Sequence, residues 1–119
     1  MKDFKRADRV GDAIHHEVST ILLTEIKDPR VDMVTVTGTK VSDDLRHANI
    51  FYSVIGDEER WAEVKKGLMS SKGYIKRQLA KRLKMKYLPD IHFNEDRTLE
   101  KGGRIDSILF GLQKEEGSE

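Results

Sequence analysis

Residues 31–55 read VDMVTVTGTKVSDDLRHANIFYSVI and contain two runs of side chains typical of β-strands. Residues 31–42 are rich in valine and threonine, and residues 48–55 combine isoleucine and valine with two aromatic side chains. Such side chains fit the pleated surface of a sheet. Only a short polar gap, which includes Asp43 and Asp44, separates the two runs. A gap of this length predicts an antiparallel hairpin.

Helices are predicted on both sides of this hairpin. Before it, residues 7–27 carry apolar side chains at helical spacing, and Pro29 disfavours a helix beyond them. After it, Asp57 can cap a second helical stretch. The apolar stripe of that stretch comprises Trp61, Val64, Leu68, Ile75, Leu79 and Leu83. Residues 70–73, Ser-Ser-Lys-Gly, weaken a continuous helix, so two helices with a break or kink between them are predicted.

The remaining chain predicts one more strand and one short helix. Pro89 ends the helical stretch, and residues 90–94 alternate apolar and polar side chains as a strand does. Residues 105–112 have helical spacing, and residues 113–119 form an acidic tail that we expect to be flexible. The predicted order is α-β-β-α-kink-α-β plus a short C-terminal helix. This order is typical of an α+β domain, here residues 1–112, with a three-stranded sheet and the helices packed on one face.

Positive charge is concentrated in residues 61–87. This segment holds nine lysines or arginines and a single acid, Glu63, although the net charge of the whole chain is only +1. Such asymmetry indicates a polyanionic partner. If the apolar stripe is buried, four cations fall on the opposite side of the helix or on its flank: Lys76, Arg77, Lys81 and Lys84. Cations in that position can neutralise phosphates, and each neutralised phosphate adds salt-dependent affinity.

The predicted nucleic-acid-binding surface extends beyond this row of cations. The N–H groups at the start of the second of these helices could meet a phosphate. Arg6 and Arg9 oppose the dipole of the first helix, so a phosphate contact explains them as well as a merely solvated terminus does. The full predicted set is Arg6, Arg9, Lys65, Lys66, Ser71, Lys72, Gly73, Lys76, Arg77, Lys81, Arg82, Lys84 and Lys86. The alternative, a solvated helix face, usually mixes both signs of charge.

Three aromatic side chains are candidates for stacking on RNA bases. Core packing is the better expectation for Phe51, whereas either role suits Tyr52. Tyr74 follows Gly73 at the edge of the proposed RNA surface, so both roles stay open for it.

The sequence offers no catalytic or metal-binding pattern. We find no P-loop, no dinucleotide fingerprint and no Ser-His-Asp arrangement, and the acids cluster at turns and helix starts, where capping explains them. His15 and His16 are adjacent and diverge on a helix, while His47 and His92 stand alone. The sequence therefore predicts a protein that is not an enzyme and has no metal, cofactor or small-molecule substrate.

Composition further narrows the class of protein. There is no cysteine, which excludes disulfides and thiolate catalysis and fits a cytoplasmic protein. No apolar run approaches the roughly 20 residues that span a membrane. The polar start of the chain predicts no signal peptide. We therefore expect a cytoplasmic monomer without a membrane partner.

A series of short motifs, in order, gives the chain a recognisable family pattern. The motifs are Arg6-x-x-Arg9-Val10, Lys27-Asp28-Pro29-Arg30, Val34-Thr35-Val36-Thr37, Ser42-x-Asp44-Leu45-x-x-Ala48, Tyr52-Ser53-Val54-x-Gly56, Gly73-x-Ile75, Pro89-x-Ile91-x-Phe93-x-x-Asp96 and Arg104-Ile105. In this order and spacing the chain resembles the bacterial ribosome-binding factor A family, whose members are small-subunit assembly factors. The resemblance covers residues 6–112.

The resemblance implies a KH-like fold of type II. Ordinary KH domains clamp the nucleic-acid backbone with a GxxG loop, which this chain lacks. The family has an Ala-x-Gly kink instead, and residues 71–73 occupy that place with serine for alanine. Lys76 and Lys86 stand where arginine is expected in the family. Lysine neutralises a phosphate but does not reproduce a bidentate arginine contact.

The resemblance also implies the partners and the role. It implies binding to the immature 30S subunit on 16S rRNA, with assistance to late rRNA maturation, including 5′-end processing, and to cold adaptation. It suggests an assembly GTPase as the release partner. The alternative is a generic KH module for single-stranded RNA, against which the missing GxxG loop counts. A nuclease would need a metal or acid–base site that the sequence does not supply.

Overall fold

The computed structural model describes residues 6–98, which form two helices and a three-stranded sheet. The elements are α1 (Arg6–Thr24), a 3₁₀ turn (Pro29–Val31), β1 (Thr35–Val41), β2 (His47–Ser53), α2 (Glu58–Leu83) and β3 (Asp90–Glu95). The first strand begins later than predicted because Val31 belongs to the 3₁₀ turn. The predicted last helix (105–112) and acidic tail (113–119) lie outside the described residues.

The sheet has the strand order β1-β2-β3. β1 and β2 pair antiparallel, which confirms the predicted hairpin, with a bulge between Val36 and Gly38. β2 and β3 pair parallel. Parallel neighbours need a crossover connection, and α2 provides it. This connection places the C-terminal end of α2 beside the hairpin turn, since β3 starts next to the start of β2.

Both helices pack on one face of the sheet. Ala48, Ile50 and Ile91 point from the strands toward the helices and are at most 1% exposed. Ile14 on α1 and Trp61 on α2 are buried in the same core. The predicted α+β class, the three-stranded sheet and the placement of the helices on one face are therefore confirmed.

The predicted division of the second helical stretch is wrong, because α2 is one continuous helix of 26 residues. Asp57 caps its start, as predicted, by accepting a hydrogen bond from the Arg60 N–H at 2.9 Å. The helix continues through residues 70–73 because both flanks bury apolar side chains in the core. Leu68 and Ile75 are at most 1% exposed, and burying each contributes about 1.5–3 kcal/mol. That gain outweighs a propensity cost of about 1 kcal/mol for glycine.

The N-terminal half of α2 is fixed by the turn after α1. The Asp28 carboxylate accepts hydrogen bonds from the Arg30 guanidinium, one of them at 2.6 Å, and the Arg30 side chain lowers the pKa of Asp28. Arg60 Nη1 donates to the Arg30 carbonyl at 2.9 Å, and Nη2 donates to the Asp32 carbonyl. Gly67 lets the turn approach closely, since a Cβ there would lie 2.7 Å from Val31 Cγ1.

Candidate nucleic-acid interface

A set of cations lines the outer side of α2 and the residues just after it. We call this set the α2 cation surface; its members are Lys65, Lys66, Lys72, Lys76, Arg77, Lys81, Lys84 and Lys86. All are exposed except Lys72, which is half-buried. Within residues 6–98 none of them forms an ion pair. Residues 65–89 contain no acid at all, so this charge is available to an anionic partner.

Helical geometry arranges these cations in rows. With 100° per residue, Lys66, Arg77 and Lys84 lie close to one line on the side opposite the buried Ile75. At 1.5 Å per residue, this row is about 27 Å long. Exposed Gly73 lies within the row. Because glycine has no side chain, a nucleic-acid backbone could approach the helix closely at this position. The predicted exposure of Lys76, Arg77, Lys81 and Lys84 is confirmed.

Arg82 differs from its neighbours because it binds carboxylates of α1. Its guanidinium pairs with Glu25 and, at 3.4 Å, with Glu17. The Tyr74 hydroxyl donates to Glu25 Oε1 at 2.7 Å. The hydrogen bond from Arg82, and then that from Tyr74, lowers the pKa of Glu25. Arg82, predicted to contact RNA, and Tyr74, for which stacking was open, therefore hold the two helices together.

The N–H groups predicted at a helix start are not present as a free helix end. Ser71 lies inside continuous α2 and is only 9% exposed, so its side chain faces the core. Lys72 and Gly73 also lie in the helix interior, where backbone N–H groups bond to the preceding turn. The predicted phosphate contact through these N–H groups is therefore wrong, because it depended on the helix break.

An open groove of about 880 Å³ lies where the end of α2 meets the hairpin turn and the start of α1. We call it the terminal groove. It is lined by Arg6, Asp44, Leu45, Arg46, His47, Leu83, Lys84, Met85, Lys86, Tyr87, Leu88 and Asp90. The structure thus brings Arg6 together with Lys84 and Lys86, which follow it about 80 positions later in the chain. Arg9 lines a smaller cleft beside it, with Leu83 and Met85.

Nine of the twelve residues that line this groove are outside the predicted set, among them Arg46, His47 and Tyr87. Arg46 and His47 belong to the hairpin, and Tyr87 lies beyond the helix. No local pattern marked them, since only the crossover from β2 through α2 to β3 brings these segments together. The basic charge of Arg46 next to the turn acids was the one signal available in the sequence.

The face of the sheet opposite the helices carries polar side chains. His47 Nδ1 lies 3.3 Å from His92 Nε2, so the prediction that these histidines stand alone is wrong. The parallel pairing of β2 with β3 brings them together. Nearby, Asn94 Nδ2 donates to Asn49 Oδ1 at 3.0 Å. Within residues 6–98, no group of three or more His, Asp or Glu side chains could hold a metal ion.

The two aromatic residues of β2 have opposite environments. Tyr52 is 2% exposed and packs near Trp61, with ring centroids 6.0 Å apart, so it belongs to the core and does not stack on RNA bases. Phe51 points to the other face of the sheet and is half-buried near Arg97 and Thr98. Its predicted core packing is therefore wrong, because its neighbours in the strand take the inward positions.

A model of the ribosome-binding factor A family matches residues 6–109. The chain belongs to the ribosome-binding factor A family. The ribosome-binding factor A of Geobacter sulfurreducens is 41% identical to this chain over 116 residues, which cover 98% of each protein. The resemblance drawn from the ordered motifs is therefore confirmed.

Solved structures of ribosome-binding factor A share the fold. The crystal structure of the Thermus thermophilus protein superposes with a TM-score of 0.66 at 19% identity, covering 75% of this chain and 93% of that one. A Thermus thermophilus homology model fitted into a cryo-EM map of a 30S complex gives a TM-score of 0.64 at 20% identity, covering 78% and 97%. These likenesses agree with the KH-like α+β fold. In residues 6–98 no helix has the length and apolar character needed to cross a membrane.

Proposed function

We propose that this ribosome-binding factor docks on the 16S rRNA of the immature 30S subunit through the α2 cation surface and the terminal groove. Its family membership supports a ribosomal partner. The Thermus thermophilus relative, fitted into a 30S complex, supports the small subunit in particular. In this role it assists late rRNA maturation, including 5′-end processing, and growth in the cold.

The observation that carries this proposal is the unpaired charge on α2. Eight cations line a surface without a single acid, and in the described residues none of them is neutralised within the protein. A face of mixed charge would merely be solvated. On this face the like charges repel one another, and a bound anion relieves that repulsion. Each phosphate it neutralises releases counterions, so the slope of log affinity against log salt grows by about 0.7–0.9 per phosphate.

The mechanism requires binding energy and no covalent chemistry. RNA conformers interconvert slowly in the cold, and a protein that binds one conformer more tightly shifts the population toward it. The factor acts as a cytoplasmic monomer without a cofactor, and an assembly GTPase removes it when maturation is complete. The alternative of a generic single-stranded RNA module predicts tight binding to short oligonucleotides without preference for the 30S subunit.

Sedimentation with separated 30S and 50S subunits at two salt concentrations tests this proposal. We expect co-sedimentation with 30S alone, weaker at the higher salt. The variant K76E/R77E/K81E/K84E should lose binding, with an affinity at least about 100-fold lower, and should keep its melting temperature because these side chains are exposed.

A matched control reverses charge elsewhere. Lys27 and Lys40 are exposed and lie outside the α2 cation surface, so K27E/K40E should bind far better than R77E/K84E. Equal binding of the wild type to both subunits, or to neither, would contradict the proposed function. Unchanged affinity in the fourfold variant would exclude α2 as the docking surface.

A further inference from the structure

The terminal groove is lined by both cationic and apolar side chains. The cations come from three separate segments: Arg6 at the start of α1, Arg46 in the hairpin turn, and Lys84 with Lys86 after α2. The apolar side chains are Leu45, Leu83, Met85 and Leu88. Pockets that take small organic ligands share this combination of an apolar lining and a few charged groups.

The two carboxylates of the groove do not cancel this charge. Asp44 Oδ1 accepts hydrogen bonds from Ser42 Oγ at 2.6 Å and from the Arg46 N–H at 3.0 Å. These bonds lower the pKa of Asp44, with the Ser42 bond as the larger cause, and they direct its charge into the turn. Asp90 is exposed at the start of β3. The groove therefore has four cations and two acids, and one of the acids, Asp44, already accepts hydrogen bonds within the turn.

Tyr87 is the aromatic side chain of this groove and is 76% exposed. Among residues 6–98, it is the one aromatic residue among the strongly exposed large hydrophobic side chains. The Lys86 ammonium lies 5.6 Å from its ring centroid. The fold gains little from an aromatic ring in solvent, whereas a nucleobase can stack on it.

The backbone of the groove is held in an unusual conformation. Leu45 and Lys84 have positive φ angles of 62° and 53°, and both line the groove. Left-handed residues other than glycine are uncommon and often mark functional sites. Helices often end on glycine in this conformation, but here the C-cap is Lys84, an exposed cation that lines the groove.

From these observations we infer that the terminal groove binds one unstacked nucleotide of the RNA, with the base on Tyr87 and the phosphate on Arg46, Lys84 and Lys86. The inference rests on the proposed function and specifies the ligand at one end of that interface. The groove is large enough for a nucleotide, and a duplex cannot enter it because its bases are stacked and paired. Bulges, loops and strand ends supply such nucleotides.

A pair of RNA probes tests the inference. One is a fluorescein-labelled RNA hairpin with a three-nucleotide purine bulge, and the other is the same hairpin without the bulge. We expect the wild type to bind the bulged hairpin about 10-fold more tightly, since one base stacked on an aromatic ring is worth about that factor. Tyr87→Ala should abolish the preference, and Tyr87→Phe should retain it.

Further variants distinguish a loss of base stacking from a loss of positive charge and from a loss of the folded structure. Leu23→Ala truncates another exposed apolar side chain, 84% exposed on α1, and should leave both affinities unchanged. Tyr87→Ala should not alter the salt slope, because the ring carries no charge, whereas Arg46→Ala should reduce it by about one phosphate equivalent. Exposed Tyr87 can be truncated without loss of the core, which the melting temperature would verify.

The outcomes distinguish this inference from the proposed function. Salt-dependent binding of both hairpins without a preference for the bulge, or an unchanged preference in Tyr87→Ala, would overturn the nucleotide site and leave the docking surface intact. Failure of the wild type to bind either RNA or the 30S subunit would overturn both.

Discussion

The two halves of α2 use their charged side chains in different ways. In the N-terminal half, Arg60 binds carbonyls of the turn after α1, and Glu58 pairs with Arg97. In the C-terminal half, Arg82 is paired, while Lys76 and the other cations around it have no partner in the described part of the chain. The start of α2 thus anchors the fold, whereas the cations from Lys65 onward, apart from Arg82, present charge to a partner.

The helix dipole explains only part of this difference. Cations in the last turn, such as Lys81, gain about 0.3–1 kcal/mol from the dipole, and the effect fades within one turn. Lys65, Lys66 and Lys72 lie in the middle of α2, where the dipole offers them almost nothing. Their accumulation there is better explained by a polyanionic partner.

The comparison is tested most strongly by truncating one arginine in each half. Arg60→Ala removes two hydrogen bonds to the turn, so the free energy of unfolding should fall by about 2 kcal/mol. Arg77→Ala should change it by less than about 0.5 kcal/mol. Chemical denaturation measures both values. Equal destabilisation by the two substitutions would contradict the distinction between Arg60, which stabilises the fold, and Arg77, which does not.

The two glycines of α2 offer a sharper version of the same test. Gly67→Ala places a Cβ 2.7 Å from Val31 Cγ1 and 3.0 Å from Arg30 Cβ, and the overpacking should outweigh the gain in helix propensity, for a net loss of about 1 kcal/mol. Gly73→Ala meets only the tip of Arg77 at 3.4 Å and should gain about 1 kcal/mol. Thermal unfolding of both variants measures whether each is less or more stable than the wild type. A change of stability in the same direction for both would show that the two glycines do not differ in this way.

The smallest effect concerns the pH dependence of the contact between α1 and α2. The pKa of Glu25 is lowered by Arg82 and Tyr74, so its contribution to stability is present above its unfolded pKa, about 4.3, and is lost as the pH falls through the folded value. Glu25→Gln should therefore be destabilised at pH 7 and approach the wild type at pH 3. Tyr74→Phe should show a weaker change in the same direction. A loss of equal size at both pH values would refute this.

Local patterns were sufficient to predict most of the fold. The strands, the cap at Asp57 and the buried stripe from Trp61 to Leu79 depend on neighbouring residues, and the structure confirms them. The continuity of α2 at Ser71 was not predictable from propensity alone, because it depends on burial against the sheet. The low helix propensity of residues 70–73 is outweighed because a continuous apolar stripe is buried.

The site was less predictable because pairing across the fold decides which cations are available. Arg82 looked like its neighbours in the sequence, yet its partners Glu17 and Glu25 lie 65 and 57 positions away. Arg46 and Tyr87 join the terminal groove only through the parallel pairing of β2 with β3. Contacts of this range leave no mark in a single sequence.

The salt dependence of binding to isolated 30S subunits is the best test of whether α2 docks on ribosomal RNA. The wild type, Arg60→Ala and K76A/R77A/K84A would be compared over a series of salt concentrations. For the triple variant we expect the magnitude of the slope of log affinity against log salt to be about 2–3 smaller than for the wild type, whereas Arg60→Ala should keep the wild-type slope. The same slope for all three proteins would contradict the docking of α2 on ribosomal RNA.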